Sequence, residues 1–136
     1  YASMFPLILS YLNAGGNVLL ATRYGSRFVH DELEDYAQIS SWAQIEVSID
    51  GLTAVAEGLV DQTAAGASLT DLPALPTHED VTLLFTDMSY GAAGGILVEP
   101  ESGGKFIFMA GRPYRMDADA SNANYDYMLT NYFGEE

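Results

Sequence analysis

The chain has 136 residues, 49% of them hydrophobic, and its nineteen Asp and Glu outnumber five Lys and Arg to give a formal net charge of -14. This composition predicts one folded domain over residues 1–136, and the acidity disfavours nucleic acid and anionic membranes as partners, because both require a basic surface. With no cysteine in the sequence, disulfides, thiolate metal sites and a cysteine nucleophile are excluded.

The first predicted element is a helix that leads directly into a strand. Apolar residues recur at helical spacing and are followed by Gly15 and Gly16, which suit a helix C-terminus. The apolar stripe consists of Phe5, Ile8, Leu9 and Leu12. The short apolar run 18–22 comes next, bounded by turn residues, and predicts a strand buried on both faces.

The middle of the chain predicts a second helix, a strand and a long loop. An apolar stripe predicts the helix over 26–37, and alternation over 42–49 predicts a half-buried strand. Residues 52–60 fit neither pattern. Residues 61–79, rich in Ala, Gly, Ser and Thr, predict a loop whose length in a compact domain indicates function or mobility.

The last third of the chain predicts three strands and a closing helix. Apolar runs at 81–86, 92–98 and 106–110 are separated by short turns, which suit antiparallel neighbours. The closing helix is predicted to be capped near Ser121 or Asn122. The order of the elements predicts an α/β domain with a mixed sheet covered by helices.

Two segments of the chain share one pattern. The pairs Gly15-Gly16 and Gly103-Gly104 each precede a polar residue, an apolar run and an arginine. We expect strands 17–22 and 105–110 to lie parallel in one sheet, with the arginines that follow them at its carboxyl edge, where ligands bind in open α/β sheets. These arginines are Arg23, Arg27, Arg112 and Arg115, four of the five basic residues.

The predicted binding residues are these arginines and two neighbouring tyrosines. Arg and Tyr are enriched at interface hot spots, and a planar guanidinium matches a carboxylate. The set is Arg23, Tyr24, Arg27, Arg112, Tyr114 and Arg115, with Tyr90 as a further candidate. The alternative is that the arginines pair within the chain with nearby carboxylates, namely Asp31, Glu32, Asp117 and Asp119.

Two further groups allow a catalytic interpretation, and each has a structural alternative. Ser26 follows a predicted strand, as a nucleophile would, but it lacks the Gly-x-Ser-x-Gly pattern and suits a helix N-cap. His78 and Glu79 have no nucleophile to serve and are favoured as exposed loop residues. The other histidine in the sequence is His30.

One segment allows a metal interpretation. Residues 117–124 begin like a calcium loop of the Asp-x-Asp-x-Ser form, but Met128 occupies the position of the bidentate glutamate. Asp and Asn also suit the turn before a helix. An acidic helix-capping turn is therefore favoured over a calcium site.

Two segments carry a resemblance to a known superfamily. Tyr-Leu-Asn-Ala-Gly-Gly at 11–16 leads into an apolar strand, and Gly-Gly-Lys-Phe-Ile-Phe at 103–108 leads into Gly-Arg-Pro-Tyr at 111–114 and a closing helix. On these residues the chain resembles the class I glutamine amidotransferase-like superfamily, closest to its non-enzymatic accessory domains in larger, often secreted, bacterial proteins. The resemblance implies a flavodoxin-like mixed, partly parallel sheet flanked by helices.

The chain departs from that superfamily at two places. The turn 22–26, which matches the nucleophile turn of the active members, carries no cysteine. The superfamily usually has two or more strands before the first Gly-Gly strand, whereas one predicted helix comes before it here. We therefore expect either that N-terminal strands are missing or that the relationship is looser. Because the sequence does not begin with Met, we expect a processed product or a piece of a longer protein.

The sequence favours a non-catalytic accessory or interaction domain with no hydrolytic activity of its own. Its expected partner is another domain or protein chain, or a small anionic ligand, at the carboxyl edge of the sheet; no cofactor or metal is predicted. One alternative is a hydrolase or amidotransferase-like enzyme with its nucleophile at Ser26 or outside this chain. Another is a structural subunit of a surface assembly. An extracellular or cell-surface location is favoured.

Overall fold

The structure is a computed structural model that describes residues 5–29, 31–111 and 116–134. The elements in chain order are α1 (Phe5–Asn13), β1 (Val18–Thr22), α2 (Gly25–Phe28), α3 (Asp31–Tyr36), β2 (Trp42–Ala54), β3 (Gln62–Pro73), β4 (Val81–Asp87), β5 (Ala93–Val98), β6 (Phe106–Ala110) and α4 (Ala118–Tyr127). A π-helical turn, Met128–Tyr132, extends α4. None of the helices in these three ranges has the length and apolar character to cross a membrane.

The described strands form one six-stranded sheet in the order β1-β6-β5-β4-β2-β3. β1 and β6 run parallel, from Val18 opposite Phe106 to Thr22 opposite Ala110. This register confirms the prediction that the two Gly-Gly strands lie parallel in one sheet. The other neighbouring pairs are antiparallel, which confirms the prediction for β4, β5 and β6 with their short connecting turns.

The predicted flavodoxin-like α/β fold class is wrong. The molecule is mostly strand, and its mixed sheet curls into a half-barrel with few, short helices. The main error lies in residues 61–79, predicted as a loop, because most of them form β3 and pair with the 13-residue β2. Small and polar residues dilute the apolar alternation in this region, so pairing with a neighbouring strand, and not local hydrophobicity, defines β3.

The curl brings one edge strand of the sheet, β3, back towards the other edge strand, β1. β3 lies at the opposite edge of the sheet from β1, yet it contacts α2, β5 and β6. Register shifts in β2 mark irregularities of the bulge type, which bend a strand and increase its twist. The amide of Asp71 in β3 consequently donates to the carbonyl of Arg23, just beyond the end of β1, at 3.1 Å.

The single helix predicted over 26–37 is two short helices. α2 ends at Phe28 because its C-cap, Val29, adopts an extended conformation with φ of -106° and ψ of 91°. Val29 and Leu33 are nevertheless fully buried, so the predicted apolar stripe still faces the core. The periodicity therefore identified the buried residues correctly but not the break between the helices.

The centre of the core is formed by β5 and β6, which are buried along their whole length. Phe108 of β6 packs edge-on against Trp42, with the ring centroids 5.8 Å apart. β1 is equally apolar but only half-buried at each position, because it is an edge strand. Burial on both faces is thus confirmed for β6 and wrong for β1.

The two Gly-Gly pairs meet at the amino ends of β1 and β6. Gly15 has φ of 97°, and the amides of Gly15 and Gly16 donate to the carbonyls of Leu12 and Tyr11, each at 2.9 Å. This is the glycine C-cap that the sequence predicted for α1. The backbone of Gly104 approaches Gly16 so closely that a Cβ at Gly104 would overlap the Gly16 carbonyl oxygen.

The last helix begins earlier than predicted. Its N-cap is Asp117, whose side chain accepts from the amide of Ala120 at 3.3 Å. Ser121 and Asn122, the predicted caps, lie inside α4, so that prediction is wrong by about one helical turn. The interpretation of this segment as an acidic helix-capping turn is confirmed for Asp117.

A buried amide fixes α4 to the turn between β2 and β3. Asn124 is 1% exposed; its Oδ1 accepts from the amide of Val60 at 2.9 Å, and its Nδ2 donates to the carbonyl of Val60 at 2.8 Å. The same Nδ2 donates to Oε1 of Gln62 at 2.7 Å. Because these bonds satisfy a buried polar group at both of its ends, they specify one position for α4.

Tyr125 of α4 makes the molecule sensitive to alkali. Burial raises its pKa from 10.0 to about 12. The folded state therefore keeps the phenol proton to a higher pH than the unfolded chain does, so this contribution to stability is complete below pH 10 and is lost as the pH rises towards 12. We expect the free energy of unfolding to fall by about 2–3 kcal/mol across that interval through Tyr125 alone.

Urea unfolding at pH 9 and pH 12, with Tyr125→Phe beside the parent chain, measures this loss. The variant should match the parent at pH 9 and lose less stability by pH 12, because phenylalanine has no proton to release. Equal losses in the two proteins would contradict the assignment to Tyr125.

Candidate functional site

Three of the predicted binding residues lie together just beyond the end of β1. The guanidinium carbon of Arg23 lies 4.4 Å from the centroid of the Tyr24 ring, and that of Arg27 lies 4.8 Å from the same centroid. Cation–π contacts of this kind contribute about 0.5–1 kcal/mol each at exposed sites. We name Arg23, Tyr24 and Arg27 the Arg-Tyr-Arg cluster.

The cluster is held in place by a buried carboxylate from β3. Asp71 is 1% exposed, and its Oδ2 accepts from the amide of Ser26 at 3.0 Å and from the hydroxyl of Ser26 at 2.7 Å. The N-cap of α2 is Tyr24, which makes no side-chain capping bond. Asp71 therefore satisfies a free amide in the first turn of α2 from 45 residues away. The prediction of Ser26 as the N-cap is wrong.

The other oxygen of Asp71 holds an irregular point in β2. The register of β2 against β3 shifts between Gln44 and Val47, and Glu46 has a positive φ of 54°. A left-handed backbone is unfavourable for a non-glycine residue unless its surroundings enforce it. Here the amide of Glu46 donates to Oδ1 of Asp71 at 2.8 Å, which fixes that conformation.

The irregular segment of β2 places the carboxylate of Glu46 against Arg27 of the cluster. Oε1 of Glu46 accepts from Nη2 of Arg27 at 2.9 Å, and the two side chains are 53% and 52% exposed. Its neighbour Ile45 is 57% exposed, although it is a large apolar residue. Irregularities of this type re-aim side chains and are frequent beside functional sites.

The carboxyl edge of β1 and β6 is not the open crevice that the sequence analysis expected. The Thr70 hydroxyl of β3 accepts from the amide of Gly111, which follows β6, at 2.7 Å. The next residue, Asp71, bonds to both Arg23 and Ser26 beyond β1. β3 thus crosses the ends of both strands, and Arg27 is the exposed member of the Arg-Tyr-Arg cluster there.

The remaining predicted binding residues have different outcomes. Arg112, Tyr114 and Arg115 lie outside the described residues, as does His30. Tyr90, half exposed, lies in the turn between β4 and β5, and no described contact joins it to the cluster.

One arginine of the cluster forms an ion pair within the chain, with a carboxylate that the sequence did not suggest. Arg27 pairs with Glu46, which lies 19 residues further along the chain. Among the side chains that the structure describes, which do not include that of Asp31, no carboxylate comes within ion-pair distance of Arg23. The described side-chain contact of Arg23 is the Tyr24 ring. One arginine is thus paired with an exposed carboxylate, and the other has no ion pair among the described side chains.

Among the described residues, the arrangement around Ser26 supplies no base for nucleophilic catalysis. The Ser26 hydroxyl donates to a carboxylate that also accepts two backbone amides. His78 is an exposed loop residue, as predicted, and its Nδ1 accepts from the amide of Asp80 at 3.1 Å. A nucleophile of this type needs a base that takes its proton and a third group that orients the base. Asp71 instead acts here as a structural acceptor.

No cluster of three or more His, Asp or Glu residues suited to a metal ion occurs in the part of the chain that the structure describes. Asp87 accepts instead from the amides of Ser89, Tyr90 and Ala92 and so fixes the turn between β4 and β5. This buried carboxylate therefore has a structural function.

Sequence reasoning missed Glu46 and Asp71, the two carboxylates that organise the site. Asp71 lies in a segment interpreted as a loop, although Leu69 and Leu72 on either side of it are an apolar signal that could have indicated a strand. Nothing in the local sequence marks the irregularity at Glu46, because its register depends on pairing with a distant strand.

Comparison of the chain with protein-family models, with curated proteins and with solved structures finds no match in any of the three. The fold and the geometry of the site are therefore the observations on which a functional assignment rests.

Proposed function

We propose that this chain is a non-catalytic interaction domain that docks the carboxylate of an acidic partner on the Arg-Tyr-Arg cluster. The observation that carries the proposal is the pair of guanidinium groups over the single ring of Tyr24. Two of the five basic residues of a chain with net charge -14 are used there. Neither charge is needed to form β1, which ends before the cluster at Thr22.

The chemistry of the cluster suits carboxylates. A guanidinium presents its donors in a planar fork that matches the two oxygens of a carboxylate, and contact with an aromatic ring restricts the motion of that fork. In an otherwise acidic molecule, the cluster is a local region of positive potential that attracts an anionic group. A protein carboxylate and a small organic acid share this chemistry.

Titration with glutarate and with sulfate tests the proposal, followed by NMR through the arginine side-chain Nε–H signals and, in every variant, through the backbone amide signals of residues 22–28. We expect both anions to shift the signals of Arg23 and Arg27. A double variant, Arg23→Ala with Arg27→Ala, should bind glutarate about five- to thirty-fold more weakly, because each exposed charge pair contributes up to about 1 kcal/mol. The variant should fold normally, since neither side chain is part of the core.

Lys105→Gln supplies the matched control. Lys105 lies at the amino end of β6, where it pairs with Glu99 at 3.4 Å and donates to the carbonyl of Tyr132 at 2.7 Å. The variant therefore loses a cation at the end of β1 and β6 opposite to the cluster. Glutarate affinity should remain close to that of the parent chain. Equal weakening by the control and the double variant would indicate a non-specific effect of net charge, and failure of the parent chain to bind either anion would refute the proposal.

A further inference from the structure

The pair between Arg27 and Glu46 connects two exposed side chains from distant segments of the chain. Glu46 reaches Arg27 because Asp71 holds its amide and fixes its backbone in the left-handed region. The bond to Asp71 uses the backbone of Glu46, so the side-chain carboxylate is not needed for it. Ile45, the residue before Glu46, is also exposed, and the register shift sets these two residues together opposite Asp71 of β3. The fold thus presents a carboxylate on Arg27 and an exposed apolar residue adjacent to that carboxylate in the strand.

We propose that Glu46 is an internal competitor that occupies Arg27 until an acidic peptide segment of a partner protein displaces it, with an apolar side chain of that segment packing on Ile45. The inference rests on the proposed function and adds the class of partner and the way in which binding is restrained. The occupant is a peptide that carries a carboxylate next to an aliphatic side chain.

The competition follows from the exposure of the pair. An exposed ion pair is worth only a fraction of a kcal/mol to about 1 kcal/mol, so a partner carboxylate can replace it at small cost. Displacement leaves the backbone of Glu46 in place because Asp71 holds the amide and not the side chain. The carboxylate of Glu46 then returns to water, where it is well solvated.

The apolar part of the partner is inferred from Ile45. A side chain of this size that is 57% exposed leaves apolar area in water, and covering it favours association. The charge of the cluster selects a carboxylate, and the neighbouring isoleucine selects an aliphatic group beside it. A free inorganic anion satisfies the first requirement only.

Two blocked dipeptides, N-acetyl-Leu-Glu-amide and N-acetyl-Ala-Glu-amide, test the inference by the same NMR titration. Glu46→Gln should bind both peptides about two- to five-fold more tightly than the parent chain, since the competing charge is gone. Glu57→Gln makes the same change of net charge at an exposed position in the turn between β2 and β3. This control should leave affinity close to the parent value, because charges separated by more than about 8 Å are screened at physiological ionic strength.

The second comparison tests the contact with Ile45. The leucine peptide should bind the parent chain about three- to ten-fold more tightly than the alanine peptide, and the difference should disappear in Ile45→Ser. If the two peptides bind equally well, or if sulfate binds as tightly as either of them, the site takes small anions and the peptide assignment is refuted.

The failures of the two proposals are distinguishable. If glutarate and both peptides bind through Arg23 and Arg27 but Glu46→Gln behaves like Glu57→Gln, the proposed function stands and the competitor is refuted. If Glu46→Gln weakens binding, Glu46 supports the site and the competitor is also refuted. If no anion binds the parent chain, both proposals are refuted.

Discussion

Alanine in place of Asp71 is expected to lower the free energy of unfolding by about 3–5 kcal/mol, one of the two largest effects that the structure indicates for a single substitution. The Asp71 side chain is almost fully buried and accepts three hydrogen bonds at 2.7 to 3.0 Å. The donors are the amide and hydroxyl of Ser26 and the amide of Glu46. Alanine leaves all three without an acceptor and removes the link between α2 and β2.

Two further substitutions divide this effect into its parts. Ser26→Ala removes one donor and leaves the carboxylate with its two amides, so about 1 kcal/mol should be lost. Asp71→Asn keeps one carbonyl oxygen, which can serve Ser26 or Glu46 but not both, so its cost should lie between those of the other two. The order Ser26→Ala, Asp71→Asn, Asp71→Ala is therefore expected in urea unfolding.

Amide hydrogen exchange locates the damage. In Asp71→Ala the amides of Ser26 and Glu46 should exchange much faster than in the parent chain, while amides of the buried strand β6 should follow only the change in global stability. If Asp71→Ala costs no more than Ser26→Ala, the carboxylate is not the link between α2 and β2.

The fold could be predicted from the sequence only where local hydrophobicity determines the structure. β5 and β6 are continuous apolar runs and were predicted with nearly correct bounds. β3 was not predicted, because Ala, Gly, Ser and Thr dominate its first half and its hydrogen bonds come from β2. With β3 interpreted as a loop, the remaining elements resembled a helix-covered α/β sheet, and the half-barrel could not be inferred.

The candidate site, like the fold, could be predicted from the sequence only in part. Four arginines were predicted to gather at one edge because they follow two parallel strands. The structure brings Arg23 and Arg27 onto Tyr24, whereas the other two lie outside the described residues. Glu46 and Asp71 were missed because their contacts depend on the register of β2 against β3. A one-residue change in such a register moves a side chain to the other face of the sheet, and the sequence does not encode that choice locally.

Alanine in place of Gly104 is expected to lower the free energy of unfolding by about 3–5 kcal/mol, at the upper end of the cost of overpacking. A Cβ at this position would overlap the carbonyl oxygen of Gly16, which is backbone and cannot rotate away. The amide of Gly104 donates to the carbonyl of Leu12 at 2.7 Å, and its carbonyl accepts from the hydroxyl of Tyr36 at 2.5 Å. Relief of the overlap would therefore stretch both bonds.

Gly15→Ala is the matched control, because Gly15 belongs to the pair that Gly104 approaches. Its φ of 97° disfavours alanine, but nothing lies within 4 Å of a Cβ built there, so the cost should be limited to about 1–2 kcal/mol of backbone strain. Thermal and urea unfolding of the two variants would separate the requirement for a positive φ from the requirement for close backbone contact. Equal costs would mean that backbone conformation alone requires glycine at both positions. A larger loss for Gly104→Ala would mean that the Gly-Gly pairs are needed because the backbones at the start of β1 and β6 approach each other closely.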